Sequence, residues 1–150
     1  MATDGRSAAR VDFYFGVEHR LHYACRIVRK ARGAGKSLLA YARDADRLAR
    51  FDAALWTFSA LDFLPHVYAD SPLAVHTPVL LTLTPQAPVR DLLLNLDDEP
   101  PAGYADWFGR FERVLEVVSQ EDADRAAARQ RFKTYRDGGL TPNAIQVGAD

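Results

Sequence analysis

Cysteine is nearly absent. Cys25 stands alone among 150 residues, so no internal disulfide can staple the fold, and the chain suits a reducing compartment. Long apolar runs are missing as well: no stretch approaches the roughly 20 apolar residues that a membrane span requires. The opening MATDGRSAAR carries no apolar stretch of the kind that directs a chain to export. The expectation is a soluble, cytoplasmic protein. Neither sign of charge is in excess, with 19 Lys and Arg against 20 Asp and Glu and a formal charge of −1. Proteins that hold nucleic acid by neutralising phosphates usually carry a basic surplus. The balance here argues against that class, although a net value hides any local patch.

What the chain does contain is an ordinary globular mixture, 48% apolar and 26% charged, in a length that suits one domain with a real core. Residues up to about Arg10 are small and polar and read as a loose start. Val11–Phe15 (VDFYF) is a β-branched and aromatic run that reads as a buried strand. From Val17 to Arg32, the residues Val17, Leu21, Ala24, Val28 and Ala31 recur at helical spacing, with Arg20, Arg26, Arg29, Lys30 and Arg32 mostly off that stripe. Gly33 and Gly35 end the helix. Ser37–Ala42 reads as a second strand. Asp44 is placed to cap a second helix with Leu48, Phe51 and Leu55 on one face, ending near Trp56.

Beyond Trp56 the pattern turns strand-rich. Phe63–His66 leads into Val67 and Tyr68; Pro78–Leu83, Val89–Leu96 and Val114–Val118 follow as strands. Tyr104–Phe111 suits a helical turn or two. Ser119 and Asp122 have capping-box spacing and open a helix to about Arg136, stopped by Gly138 and Gly139. From Leu140 onward the signals are weak, and residues 140–150 read as loosely structured. The strand–helix–strand–helix opening predicts a single α/β domain with right-handed crossovers and a partly parallel sheet.

Motifs of chemistry are few. Gly33-Ala34-Gly35-Lys36-Ser37 resembles a phosphate loop, but a Walker A loop needs a glycine where Lys30 stands. The glycines also follow a helix and precede a strand, so no helix N-terminus faces a phosphate. His19, His22 and Cys25 are spaced by three on the first helix; at about 100° per residue they diverge around it, and no fourth ligand is near. Cys25 borders the apolar stripe, where a free thiol behaves as a small hydrophobe. His66 and His76 stand without a carboxylate at fixed spacing. Asp97-Asp98-Glu99 suits either magnesium or, more simply, a solvated acidic turn. No nucleophile elbow or paired acid and base is present. No catalytic, metal or cofactor site is expected.

Two other features suit partner binding. Arg125, Arg129, Phe132, Lys133 and Arg136 share one stripe of the last helix, while Ala123, Ala126, Ala127 and Thr134 are small enough to lie against a sheet. A cationic stripe holding one ring suits an acidic peptide with an apolar side chain; the plainer alternative is a solvated basic face with Phe132 partly buried. Trp56, Phe58, Leu61, Phe63, Leu64 and Pro65 gather large apolar groups in a loop-like stretch. They form either core or an exposed patch for a protein partner.

RFDAALWTF (Arg50–Phe58) followed by FLPH (Phe63–His66), with RQRFKTYRDGG (Arg129–Gly139) near the far end, resembles the chi subunit family of DNA polymerase III. DFYF, the GK turn before SLLAYA, PVLLTL, LLLNL and FERVLEVV extend the likeness across nearly the whole chain in the family's order. The resemblance implies an open, mostly parallel Rossmann-like sheet flanked by helices, without a dinucleotide site or enzymatic activity of its own. It implies a non-catalytic adaptor in the clamp-loader complex. Such an adaptor joins the psi subunit to the acidic, apolar C-terminal tail of the single-stranded-DNA-binding protein. Carried over position by position, the tail-binding residues are Arg125, Arg129, Phe132 and Lys133, with Phe132 where a tyrosine is common. The psi-facing residues are Trp56, Phe63, Leu64 and Pro65. Two rival readings are a direct single-strand binder using the two basic helices and a nucleotide-dependent enzyme on a Rossmann-like sheet.

Overall fold

The structure, a computed structural model, describes residues 9–58 and 63–148. Leu61, the first eight residues and residues 149–150 lie outside them. Seven strands form one sheet: β1 (Arg10–Val17), β2 (Leu38–Tyr41), β3 (His66–Tyr68), β4 (Val79–Thr82), β5 (Leu92–Asn95), β6 (Arg113–Ser119) and β7 (Thr141–Gln146). Their order is β3-β4-β2-β5-β6-β1-β7, and every pairing is parallel. The helices are α1 (Arg20–Gly33), α2 (Ala45–Thr57), the short α3 (Tyr104–Trp107) and α4 (Asp122–Asp137). This is the open α/β sheet expected from the sequence, parallel throughout its described length.

The two sheet faces carry separate cores, because side chains alternate along each strand. Leu38, Ala40, Leu81, Leu94 and Leu115 pack beneath α1 and α2, against Ala24, Val28, Phe51 and Leu55. Leu39, Leu80, Leu93, Val114 and Val118 face the other way, toward Trp107, Phe108, Ala128 and Tyr135. Parallel strands buried on both faces must read as continuous apolar runs, which is why PVLLTL and LLLNL stand out in the sequence. Among the described residues no helix is long and apolar enough to cross a membrane.

Several boundaries differ from expectation. Val17 ends β1, and α1 starts only at Arg20, since Val17 packs in the core as a strand residue. Asp44 caps α2 as expected, accepting from the N–H groups of Asp46 and Arg47. At α4 the capping box is displaced. Asp124 Oδ2, not Asp122, accepts from the Ser119 N–H at 2.7 Å, and Ser119 Oγ accepts from the Glu121 N–H at 3.3 Å. The segment after Leu140, expected to be loose, forms β7 beside β1. As an edge strand it tolerates Pro142 and needs only half a buried face, so its composition is muted. Gly16 has φ +83 where β1 slips register against β6. A Cβ there would sit 2.5 Å from the Gln146 side-chain nitrogen.

Candidate functional site

The face that α4 turns to the sheet is not the one the small residues suggest. Ala128, Arg131 and Tyr135 are buried, whereas Ala123, Ala126 and Thr134 are exposed. The reason is an anchor inside the core. Arg131 Nε donates to Glu116 Oε1 at 3.0 Å, and both side chains are essentially inaccessible. Tyr135 Oη donates to Glu116 Oε2 at 2.7 Å, as does Asn95 Nδ2 at 2.9 Å. Arg131 Nη1 reaches the Asp98 carbonyl at 2.8 Å. Burial, then the Glu116 charge, pushes the Tyr135 hydroxyl far above the ordinary tyrosine range, so it stays a donor. This network locks the rotation of α4 about its axis. Its signal in the sequence is the lone Glu116 inside VLEVV, an acid where a doubly buried strand should have none.

With α4 so fixed, Arg125, Arg129 and Phe132 fall on one cleft of about 490 Å³ between α4 and the β1–β7 edge. Phe13, Phe15, Val118 and Ala128 make its apolar wall, and Gly16, Gln120 and Gln146 close one end. Phe132 is half-buried and packs on Phe13 with ring centroids 5.2 Å apart. Arg125 and Arg129 are exposed. Lys133 lies on the same stripe but does not line the cleft; its Nζ approaches Asp137 at 4.0 Å. Apolar depth with guanidinium groups at the rim suits a carboxylate-bearing chain with one apolar side chain.

The apolar cluster near Trp56 divides in two. Trp56 is 53% and Phe63 72% exposed, with ring centroids 5.7 Å apart, and Pro65 is exposed beside them. Leu64 points inward at 6% exposure and belongs to the core beneath α2. It anchors the loop and is not on the patch surface. His66 holds the arrangement together. Its ring stacks near Trp56 at 4.3 Å, Nε2 lies 2.9 Å from Asp52 Oδ1, and Nδ1 lies 2.6 Å from the Leu64 carbonyl oxygen. The patch sits by edge strand β3 and the cleft by edge strand β7. Six strand spacings of about 4.8 Å, roughly 29 Å, separate those two edges.

The strand ends where a parallel sheet would hold a nucleotide are instead crossed by ion pairs. Arg20 Nη1 donates to Asp98 at 2.7 Å and approaches Asp124 at 3.4 Å, and Nη2 takes the Asp97 carbonyl at 2.9 Å. Arg47 makes a two-pronged pair with Asp98 at 3.0 and 3.1 Å. Partial burial raises the Asp98 carboxyl, but hydrogen bonds and charge from Arg47 and Arg20 outweigh it and hold it down to about 2. A phosphate here would have to displace a carboxylate from both arginines. The glycines of the phosphate-loop lookalike simply end α1: Lys36 N donates to Ala31 at 2.9 Å, and Lys36 Nζ pairs with Glu112 at 2.8 Å. Cys25 is buried on the inner face of α1, its thiol pushed up to about 12 by that burial. His19 and His22 face solvent, so this run does not converge.

Comparison with known proteins bears on these surfaces. The sequence profile of the DNA polymerase III chi subunit, HolC, matches residues 9–143. The DNA polymerase III subunit chi of Pseudomonas aeruginosa is 37% identical over 135 residues, covering 87% of this chain and 91% of that protein. The Escherichia coli subunit chi is 31% identical over 121 residues, covering 79% and 80%. Among solved structures, the C-terminal domain of S. cerevisiae Dbp5, bound to Gle1 and IP6, superposes with a TM-score of 0.57 at 9% identity. It covers 93% of this chain and 90% of that one, a likeness of fold alone. On the matching profile and the near full-length relatives, the chain belongs to the DNA polymerase III chi subunit family.

Proposed function

We propose that the chain is a non-catalytic adaptor of the replication machinery that joins two proteins at opposite edges of one rigid sheet. In this reading the α4 cleft takes the C-terminal tail of the single-stranded-DNA-binding protein. Arg125 and Arg129 meet its carboxylates, Phe132 walls the pocket for its apolar end, and Lys133 adds attraction from just outside the cleft. The exposed pair Trp56 and Phe63, with Pro65, receives the psi subunit, which carries the chain to the clamp loader. Leu64 supports that patch from beneath. As a replication subunit the chain works in the cytoplasm and needs no cofactor.

One observation carries the reading: Arg125, Arg129 and Phe132 converge on a single cleft with an aromatic wall, far across the sheet from an exposed aromatic pair. Two partners can therefore sit on the molecule at once without touching. The test is calorimetric titration of the whole chain with a tail peptide, before and after saturation with psi. The expected result is one-to-one binding of each, with affinities for the peptide equal within about twofold, since sites this far apart with no shared residues are usually independent. Mutual exclusion of psi and peptide would refute the two-edge arrangement.

A further inference from the structure

The near-zero net charge conceals a marked segregation. Helix α1 carries five cations, Arg20, Arg26, Arg29, Lys30 and Arg32, and no carboxylate. In a chain of formal charge −1, five positive charges there leave the remainder at −6 (−1 less +5). Arg20 is engaged in the fold with Asp98 and Asp124, Arg32 with the Lys36 carbonyl, and Arg29 has a partner of its own. Arg26, Arg29 and Lys30 are exposed at i, i+3 and i+4. Like charges at those spacings repel and weaken a helix, and among the described residues no ion pair takes Arg26 or Lys30.

Rings alternate with these cations. Phe58 lies 5.2 Å from His22, edge to face, and 4.8 Å from the Arg29 guanidinium. Arg26 lies 5.6 Å from the Tyr23 ring. His22, Tyr23 and Arg26 also line a polar groove of about 400 Å³ that shares Gly16 and Gln120 with the α4 cleft. The opposing charge there is Glu18, beside His19 at 3.7 Å.

We propose that the outer face of α1 is a contact surface for single-stranded DNA, with Arg26 and Lys30 on phosphates and the His22 and Tyr23 rings offered to bases. An acidic protein segment would use the cations and leave the rings idle. Single-stranded nucleic acid uses both, because every base has a face that stacks on an aromatic or a guanidinium plane. The chain's family also belongs to an enzyme of DNA synthesis, so single strands are at hand. The surface adds to the two protein contacts proposed above and does not depend on them.

The experiment follows fluorescence anisotropy of a labelled oligothymidylate with the full chain, at salt from about 25 to about 200 mM. Wild type should bind weakly, with the logarithm of affinity falling linearly against that of salt. The double variant Arg26→Ala, Lys30→Ala should shallow that slope by about 1.4, two contacts at about 0.7 each, and weaken low-salt binding about tenfold or more. Its melting temperature should equal or exceed that of wild type, because like-charge repulsion along α1 is relieved, and its tail-peptide affinity should match wild type. No oligothymidylate binding by wild type at the lowest salt, or an unchanged slope in the variant, would overturn the proposal. So would displacement of the oligonucleotide by polyglutamate at equal charge concentration, which would assign the ridge to an acidic protein.

Discussion

Arg131→Met removes the cation facing a carboxylate with no access to water. Glu116 is 0% exposed, and of its two oxygens Oε2 keeps the Tyr135 and Asn95 donors while Oε1 loses its partner. Breaking a buried pair by deleting one member costs about 3–5 kcal/mol, because the survivor is left charged and uncompensated. For a chain of 150 residues each kcal/mol lowers the melting temperature by about 2–4 °C. The expected loss is therefore roughly 6–20 °C, with an earlier urea midpoint. Buried Trp107 lies in the core that α4 covers, so its fluorescence reports the transition. A second variant separates charge from packing. Glu116→Gln keeps an acceptor for Tyr135 and Asn95, so Arg131→Met with Glu116→Gln should be more stable than Arg131→Met alone, with a coupling of about 1–3 kcal/mol. Stability of Arg131→Met within about 1 kcal/mol of wild type, or strict additivity in the cycle, would refute the claim that this pair anchors α4.

Three further outcomes follow. Arg129→Ala and Phe132→Ala should each weaken the tail peptide and spare psi; the arginine's share, about 1.5–3 kcal/mol, should shrink at high salt while the ring's share persists, as calorimetry at two salt concentrations would read. Phe63→Ala should cost psi affinity by more than about 2 kcal/mol at unchanged melting temperature, whereas Leu64→Ala, a core truncation, should cost about 2–5 kcal/mol of stability; equal melting losses in both would show that Phe63 is not a surface anchor. Asp98 is held down to about 2 in the folded chain, below the usual aspartate value near 3.9, so its stabilising pairs are intact above about pH 4 and are lost as pH falls from there through about 2. Asp98→Asn should flatten that part of the urea midpoint's acid dependence, and an unchanged profile would count against the Arg20–Asp98–Arg47 bridge.

Legibility of the fold tracked how strongly burial constrains each segment. Strands β2, β4 and β5 are covered on both faces, so they must be apolar without interruption and announce themselves. Asp44 announces α2 because a cap is a local device, settled by bonds two and three residues away. Strand β7 was silent for the opposite reason. It pairs with a single neighbour, and most of its side chains face water, so Pro142 and Asn143 could occupy it without cost. The orientation of α4 differs from the one its small residues suggest, because small side chains indicate close packing only when no larger group binds more tightly. Here Arg131 and Tyr135 do, through Glu116, and Ala123 and Ala126 turn outward.

The candidate cleft was legible as a stripe and not as a pocket, since spacing along one helix fixes which side chains share a face but says nothing of what stands opposite. Phe13 and Phe15, which supply the wall, are more than a hundred positions away in sequence, and only the β1–β6 and β1–β7 pairings bring them under Phe132. The same logic explains Lys133: it shares the stripe, yet it sits off the edge where those rings end. Trp56 and Phe63 differ from Leu64 for a local reason. Strand β3 starts at His66, whose two ring nitrogens lie at Asp52 and at the Leu64 carbonyl. That tether draws the Leu64 backbone inward, and the neighbouring Phe63 remains outside beside Trp56. The buried histidine tether and the core contacts of Leu64 together sort a run of apolar residues into anchor and contact surface.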